Sequence, residues 1–389
     1  MKKMVVISTV CVILFSSLLL CACGNNEAEQ SAVSTVESSA ASAKIDESSA
    51  EETKSGLTES IAELIEEQDF VGEVYVVQNG EVVFDSGTDL DDSDCDENTV
   101  FKIASNTKQF TAAGILILQQ DGKLDVNDKL DQYLPECSFA SKVTIHNLLS
   151  MRSGIPDYMG YTDEYGNHLA LMEEQLDFRV SKDAEAEENV ASIYDFLSQQ
   201  ELSFAPDSQF EYSNSNYFLL AKIIEKVSGQ TYEEFLTERI FAPLSMNSTG
   251  FTDSYDIRNA DIAKATQNDP NTEYLNYPGL SFGAGNIMSN AKDLSAWLEE
   301  LDQHKILSKE SADRMMKNDS ADDDTMQYGY GLMIDEQNGF VWHTGLIPSF
   351  ASMTLTSTDG NIRIILLTNE PMNDPTILGT KIFDLFDLE

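Results

Sequence analysis

The sequence predicts an α+β fold: an antiparallel sheet flanked by helices, with a mostly helical lobe inserted. Three observations predict it. Strand patterns stand near both ends of the folded part, at residues 73–84 and again between 328 and 367. Between them, from 105 to about 244, apolar residues recur mainly at helical spacing. An Asn79-Gly80 pair separates the first two strand patterns, and it supplies the positive φ values that a tight hairpin turn needs. Strands from both chain ends closing one sheet around a helical middle are the simplest layered solution.

The elements follow in order. In residues 1–23, Lys2 and Lys3 precede a short apolar run, which reads as a secretion signal. The stretch Leu20-Cys21-Ala22-Cys23-Gly24 resembles a bacterial lipobox. Cys23 follows the small Ala22 and is the better lipidation site; Cys21 follows Leu20. An uncleaved anchor is the alternative, and either places the folded part outside the cytoplasm, tethered to a membrane. Residues 24–56 are rich in Ser, Ala and Glu without apolar periodicity, so they read as a flexible linker. The domain proper spans 57–389. It opens with a helix carrying Leu57, Ile61, Leu64 and Ile65 on one face, followed by the hairpin. An acidic loop at 89–97 lacks the glycine pattern of a calcium loop and reads as solvated. Helices are expected at 110–120, 193–200 and 217–227, the last closed by Gly229. Residues 157–192 are polar and acidic, and form a candidate lid. Strands are expected at 328–334, 340–343, 351–356 and 362–367, then a last helix at 376–386. No internal repeat is found.

A net charge of −43, from 67 acidic and 24 basic residues, argues against nucleic acid and anionic membrane surfaces as electrostatic partners. Two cysteines, Cys95 and Cys137, remain in the domain beyond the signal and lipobox; a disulfide between them is open, a disulfide scaffold is not. His146, His168, His304 and His343 are scattered without ligand spacing, so neither a metal nor another cofactor is expected.

Ser105-Asn106-Thr107-Lys108 stands where an extended run turns into a helix. Three residues apart, a serine and a lysine share one helical face, so the amine can reach the hydroxyl. A serine hydroxyl needs such a base to become a nucleophile, and S-x-x-K is a known catalytic spacing. Ser289-Asn290-Ala291-Lys292 repeats the pattern, so a helix start with a capping serine is the bland reading of either copy. Tyr212 and Asn214 stand on a loop before a helix. A tyrosine near a lysine cation loses its proton more easily and can serve as base or acid. An asparagine amide can orient a carbonyl or an amine. Tyr165-Gly166-Asn167 and Tyr274-Leu275-Asn276 match the same spacing, and a helix cap is the bland reading of Asn214. Trp342-His343-Thr344-Gly345 closes a strand. His343 there can hold a substrate carboxylate, and Gly345 lets a substrate approach the backbone. The Leu346 and Ser105 N–H groups can pair as an oxyanion hole.

The order Ser105-x-x-Lys108, Tyr212-x-Asn214, His343-Thr344-Gly345 resembles the serine β-lactamase-related family of the class C type, over roughly 57–386. That family includes DD-carboxypeptidases, D-aminopeptidases and esterases. Residues 148–158 and 283–294 support the resemblance. It implies a β-lactamase/transpeptidase-like fold and an acyl-enzyme mechanism. Ser105, Lys108 and Tyr212 are then catalytic, and Asn214, His343, Thr344 and Gly345 bind substrate. The backbone of Ser105 and Leu346 forms the oxyanion hole. His343 stands where β-lactamases carry lysine, which argues against an efficient β-lactamase. Met151 replaces a frequent histidine, and Ser349 a frequent glycine, where it could narrow the pocket mouth. The expected function is that of an extracellular, lipid-anchored serine hydrolase, D-Ala-D-Ala carboxypeptidase-like, acting on a peptide such as a peptidoglycan stem. The alternatives are a promiscuous esterase or weak β-lactamase, and a non-catalytic lipoprotein that binds wall peptides.

Overall fold

Alternation along the strands builds two cores on one sheet. In β1 (Glu73–Gln78) and β2 (Glu81–Asp85), Val74, Val76 and Phe84 point to one face. Tyr75 and Val77 point to the other. The computed structural model describes residues 47–89, 95–159, 161–162, 168–169, 180–254, 262–264, 277–320, 326–370 and 374–386. Outside the described residues lie the signal, Cys23, most of the linker and the centre of the acidic loop. So do the central part of the candidate lid and the two further Tyr-x-Asn matches. Among the described residues, no helix is long and apolar enough to cross a membrane.

The other sheet strands come from the chain end: β3 (Met333–Asp335), β4 (Phe340–Ile347), β5 (Phe350–Ser357) and β6 (Ile362–Thr368). The order is β2-β1-β6-β5-β4-β3. The paired strands run antiparallel, with Glu73 of β1 opposite Leu367 of β6. The hairpin turn has Asn79 at φ 53 and Gly80 at φ 81, as its dipeptide requires. The strand expected at 328–334 is shorter. Gly331, at φ 72, turns the chain so that Tyr328 bridges back to Met333, and regular pairing begins there.

Helix α1 (Glu47–Glu67) starts inside the segment read as linker. With α7 (Pro375–Phe383) it covers one face of the sheet, where Ile61, Ile65, Leu378 and Ile382 meet Val76, Met353, Leu355, Ile364 and Leu366. The lobe packs on the opposite face. Its axis is α2 (Thr107–Gln120), buried from Thr107 to Leu118, which is why its apolar residues run all round it. Around it stand α3 (Ile145–Leu149), α4 (Ala186–Ser198), α5 (Asn214–Ser228) and α6 (Ala291–Gln303). Gly229, at φ 76, ends α5. The second S-x-x-K is a helix start: Ser289 ends a short strand, and the Asn290 side chain caps α6 by accepting from Asp293 N at 2.8 Å. Cys95 and Cys137 are not bridged to each other.

Candidate active site

Ser105 sits on a single 3₁₀ turn, Ala104–Asn106, that leads into α2. Ala104 is held at φ 47, an uncommon conformation for a residue with a Cβ. A buried network fixes this turn against β5. Asn106 Nδ2 donates to Ser352 Oγ at 2.8 Å, and Ser352 Oγ donates to Ile103 O at 2.8 Å. Thr354 Oγ1 and Gln109 Nε2 donate to Asn106 Oδ1 at 2.7 and 2.8 Å. Trp297 Nε1 anchors Gln109 Oε1 at 2.9 Å. Gly345 of β4 presses on the same turn: a Cβ there would stand 2.2 Å from Ile103 O. This gives Gly345 a demand that the sequence did not show. It permits a close approach between β4 and the turn that carries Ser105.

Lys108 is fully buried one turn into α2, and its Nζ makes three hydrogen bonds. It donates to Ser105 Oγ at 2.9 Å, Asn214 Oδ1 at 2.8 Å and Ala284 O at 2.8 Å. The cation also stands 5.0 Å from the Tyr212 ring centroid. Burial pushes its pKa down to about 7, against the opposing pull of the Asp157 carboxylate. Near neutral pH a sizeable fraction of Lys108 is therefore an amine with a lone pair beside a serine hydroxyl.

Tyr212 behaves otherwise than expected. Burial raises its phenol well above the ordinary value, although the Ser105 hydroxyl pulls it the other way, and Asp157 adds to the rise. Desolvation dominates, so Tyr212 is an O–H donor rather than a phenolate. Asn214 is the first residue of α5, one place beyond the cap residue Ser213.

His343 is also corrected. It is fully buried, and both ring nitrogens are engaged inside the protein. Nδ1–H donates to Thr344 O at 2.6 Å, and Nε2 accepts from Tyr328 O–H at 3.1 Å. Burial, with Lys108 nearby, pushes its pKa down to about 3. It is a neutral, spoken-for ring and presents no charge to a carboxylate. Thr344 is half-buried and pairs with Met353, one residue out of phase with His343 and Gly345. Its hydroxyl makes no hydrogen bond among the described residues. Leu346, next to Gly345, is 62% exposed, an uncovered apolar side chain at the strand end. Ser349 is buried at φ 66, so it does not narrow a pocket mouth. Its left-handed backbone is the reason glycine suits that position. Met151, at φ 59, accepts at sulfur from Ser213 N at 3.5 Å and Asn216 Nδ2 at 3.3 Å.

The structure thus brings Ser105, Lys108, Tyr212 and Asn214 together, with β4 alongside. It adds Asp157, which carried no role in the sequence reading. Asp157 Oδ1 accepts from Asn214 N at 3.0 Å, and Oδ2 from Asn214 Nδ2 at 3.1 Å. A lone aspartate after a proline in a loop gives no sequence signal of such a contact. Among the described residues, no group of three or more His, Cys, Asp or Glu side chains is placed to hold a metal.

A family model described as Beta-lactamase matches residues 57–382. The chain belongs to the Beta-lactamase family. Members of the Beta-lactamase family are serine hydrolases. It is 30% identical over 295 residues to a penicillin-binding protein of Bacillus subtilis, a match covering 70% of this chain and 61% of that one. The chain spans about three-fifths of the length of the curated relatives it matches. The octameric penicillin-binding protein homologue of Pyrococcus abyssi is similar in structure. Its TM-score is 0.66 at 25% identity, covering 85% of this chain and 76% of that one. The D-amino acid amidase of Ochrobactrum anthropi shares the fold, at TM-score 0.67 and 23% identity, covering 85% and 99%.

Proposed function

We propose that this Beta-lactamase-family enzyme hydrolyses amide or peptide bonds through an acyl-enzyme on Ser105, as a D-Ala-D-Ala carboxypeptidase-like hydrolase. The observation that carries the reading is the buried Lys108 amine 2.9 Å from Ser105 Oγ. Lys108 takes the Ser105 proton as Oγ attacks the carbonyl carbon. The developing oxyanion rests between the Ser105 and Leu346 N–H groups. Tyr212, protonated, hands a proton to the departing amine, and Lys108 resupplies Tyr212. Water then attacks the ester, Lys108 again taking a proton; the bond to Ser105 Oγ breaks, Lys108 returns that proton to Oγ, and the acid leaves. Asn214 orients Lys108 and the substrate amide, and the Thr344 hydroxyl meets the substrate beyond the scissile bond. The sequence of residues 1–23 supports export and a lipid anchor at Cys23. The enzyme would then work on the outer face of a bacterial membrane, with wall stem peptides within reach.

A second reading has its own support. Because His343 is neutral and occupied, a substrate without a carboxylate, such as a D-amino acid amide or an ester, fits the site without losing an ion pair.

The test is labelling of residues 47–389 with a fluorescent penicillin beside Ser105→Ala, followed by release of D-Ala from a D-Ala-D-Ala peptide and of ammonia from D-alaninamide. Labelling of the parent alone, with D-Ala released, is the expected outcome. Ammonia release without D-Ala release would move the assignment to the amidase reading. Labelling or turnover surviving in Ser105→Ala would remove Ser105 as nucleophile.

A further inference from the structure

Asn214 faces two demands. Its Oδ1 must point at the Lys108 ammonium, and a carboxamide turned end for end would aim an N–H₂ at that cation instead. Nothing intrinsic to asparagine sets the choice. Asp157 does. A carboxylate only accepts, so the Nδ2 group that donates to Asp157 Oδ2 at 3.1 Å can face it and Oδ1 cannot. The other oxygen, Oδ1, accepts from Asn214 N at 3.0 Å and from Met159 N at 3.2 Å.

The loop that carries Asp157 is itself tied to α5. Ser215 Oγ donates to Pro156 O at 2.6 Å and accepts from Tyr158 N at 3.0 Å. Residues 156–158 and the first turn of α5 are thus laced on both sides of Asp157. The geometry points to Asp157 as a positioning residue: it sets the Asn214 carboxamide so that Lys108 is held against Ser105, and its charge acts on Lys108 through that bridge. This inference rests on the Ser105–Lys108 reading for its catalytic meaning, though not for its effect on Lys108.

The groups facing Lys108 are Asp157 from the loop, Tyr212 and Tyr217 around α5, Ser105 from the turn and His343 from β4. Of these, Asp157 is the carboxylate, and it favours the protonated lysine. Removing its charge while keeping its shape should lower the lysine pKa. Removing its acceptor should let Asn214 turn.

The test uses Asp157→Asn, with Asp157→Ala as a second neutral variant and Asp157→Glu to restore the charge. Lys108 is titrated directly by NMR on protein carrying ¹³C-labelled lysine, its signal assigned by loss in Lys108→Met. The neutral variants are expected to titrate at lower pH than the parent, and Asp157→Glu to return toward it. Serine labelling by a fluorophosphonate is expected to slow by about tenfold to a hundredfold in Asp157→Asn, the range of one charge-assisted hydrogen bond. An unchanged Lys108 titration overturns the inference even if labelling slows. A parent that no serine reagent labels sinks the Ser105 reading instead, and leaves the titration to decide on Asp157.

Discussion

Lys108 and Tyr212 divide the proton work by what burial does to each. Both lose solvation, but burial favours the neutral form of each: the amine of lysine and the phenol of tyrosine. In the proposed mechanism the base is therefore the lysine and the donor the tyrosine. Activity needs neutral Lys108, so kcat/KM should rise with pH through a midpoint near 7 and be lost below it. Tyr212→Phe should lower kcat/KM by about 10²–10⁴, the usual worth of a positioned acid or base, while that midpoint stays where it is. Disappearance of the acid limb in Tyr212→Phe would instead make the phenolate the base. The motif residues were legible in the sequence because S-x-x-K and Y-x-N are local spacings. Their protonation states were not, since these depend on desolvation by segments far apart in the chain. Nor was it legible that the His343 ring, which the sequence already makes mostly neutral at pH 7, is taken up by Thr344 O and Tyr328.

At the scale of elements, Ser105, the proposed nucleophile, is held by the packing of a turn against two strands. Gly345→Ala would put a Cβ 2.2 Å from Ile103 O, and backbone on both sides must then move. Overpacking of this kind costs about 1–3 kcal/mol, and it should also shift Ser105 relative to Leu346. Urea unfolding and the penicillin acylation rate should both report it. A variant as stable and as fast as the parent would show that the turn tolerates displacement. The Asn79-Gly80 hairpin, helix α5 with its Gly229 stop and strands β4–β6 were legible, because dipeptide chemistry and periodicity are local. The start of α1, the turn at Gly331 and the Asn106–Gln109–Ser352–Thr354 network were not. The last joins α2 to β5, residues more than half the chain apart, and a polar side chain in a sequence looks the same whether it meets water or a buried partner.

Over the whole molecule, the sheet is shared between the two chain ends. One face lies against the lobe and the site, the other under α1 and α7. Deleting residues 375–389 would uncover Met353 and Leu366 and remove Leu378, Ile382 and Phe383. At about 1.5–3 kcal/mol for each large apolar side chain, that loss rivals the roughly 5–15 kcal/mol that holds a domain folded. The truncated protein should be insoluble or lack a cooperative thermal transition. A soluble, cooperatively melting product would show that α1 alone suffices as cover.

Strand β1 lies between β2 and β6, so the hairpin made first has its second neighbour only when Leu367 and its flanking residues exist. The turn bearing Ser105 likewise waits for β4 and β5. Pairings this distant in sequence form slowly. A growing chain therefore carries Ser105 through the making of some 260 further residues without the strands that complete its surroundings, and the proposed site can be whole only after β4, β5 and β6 have been made.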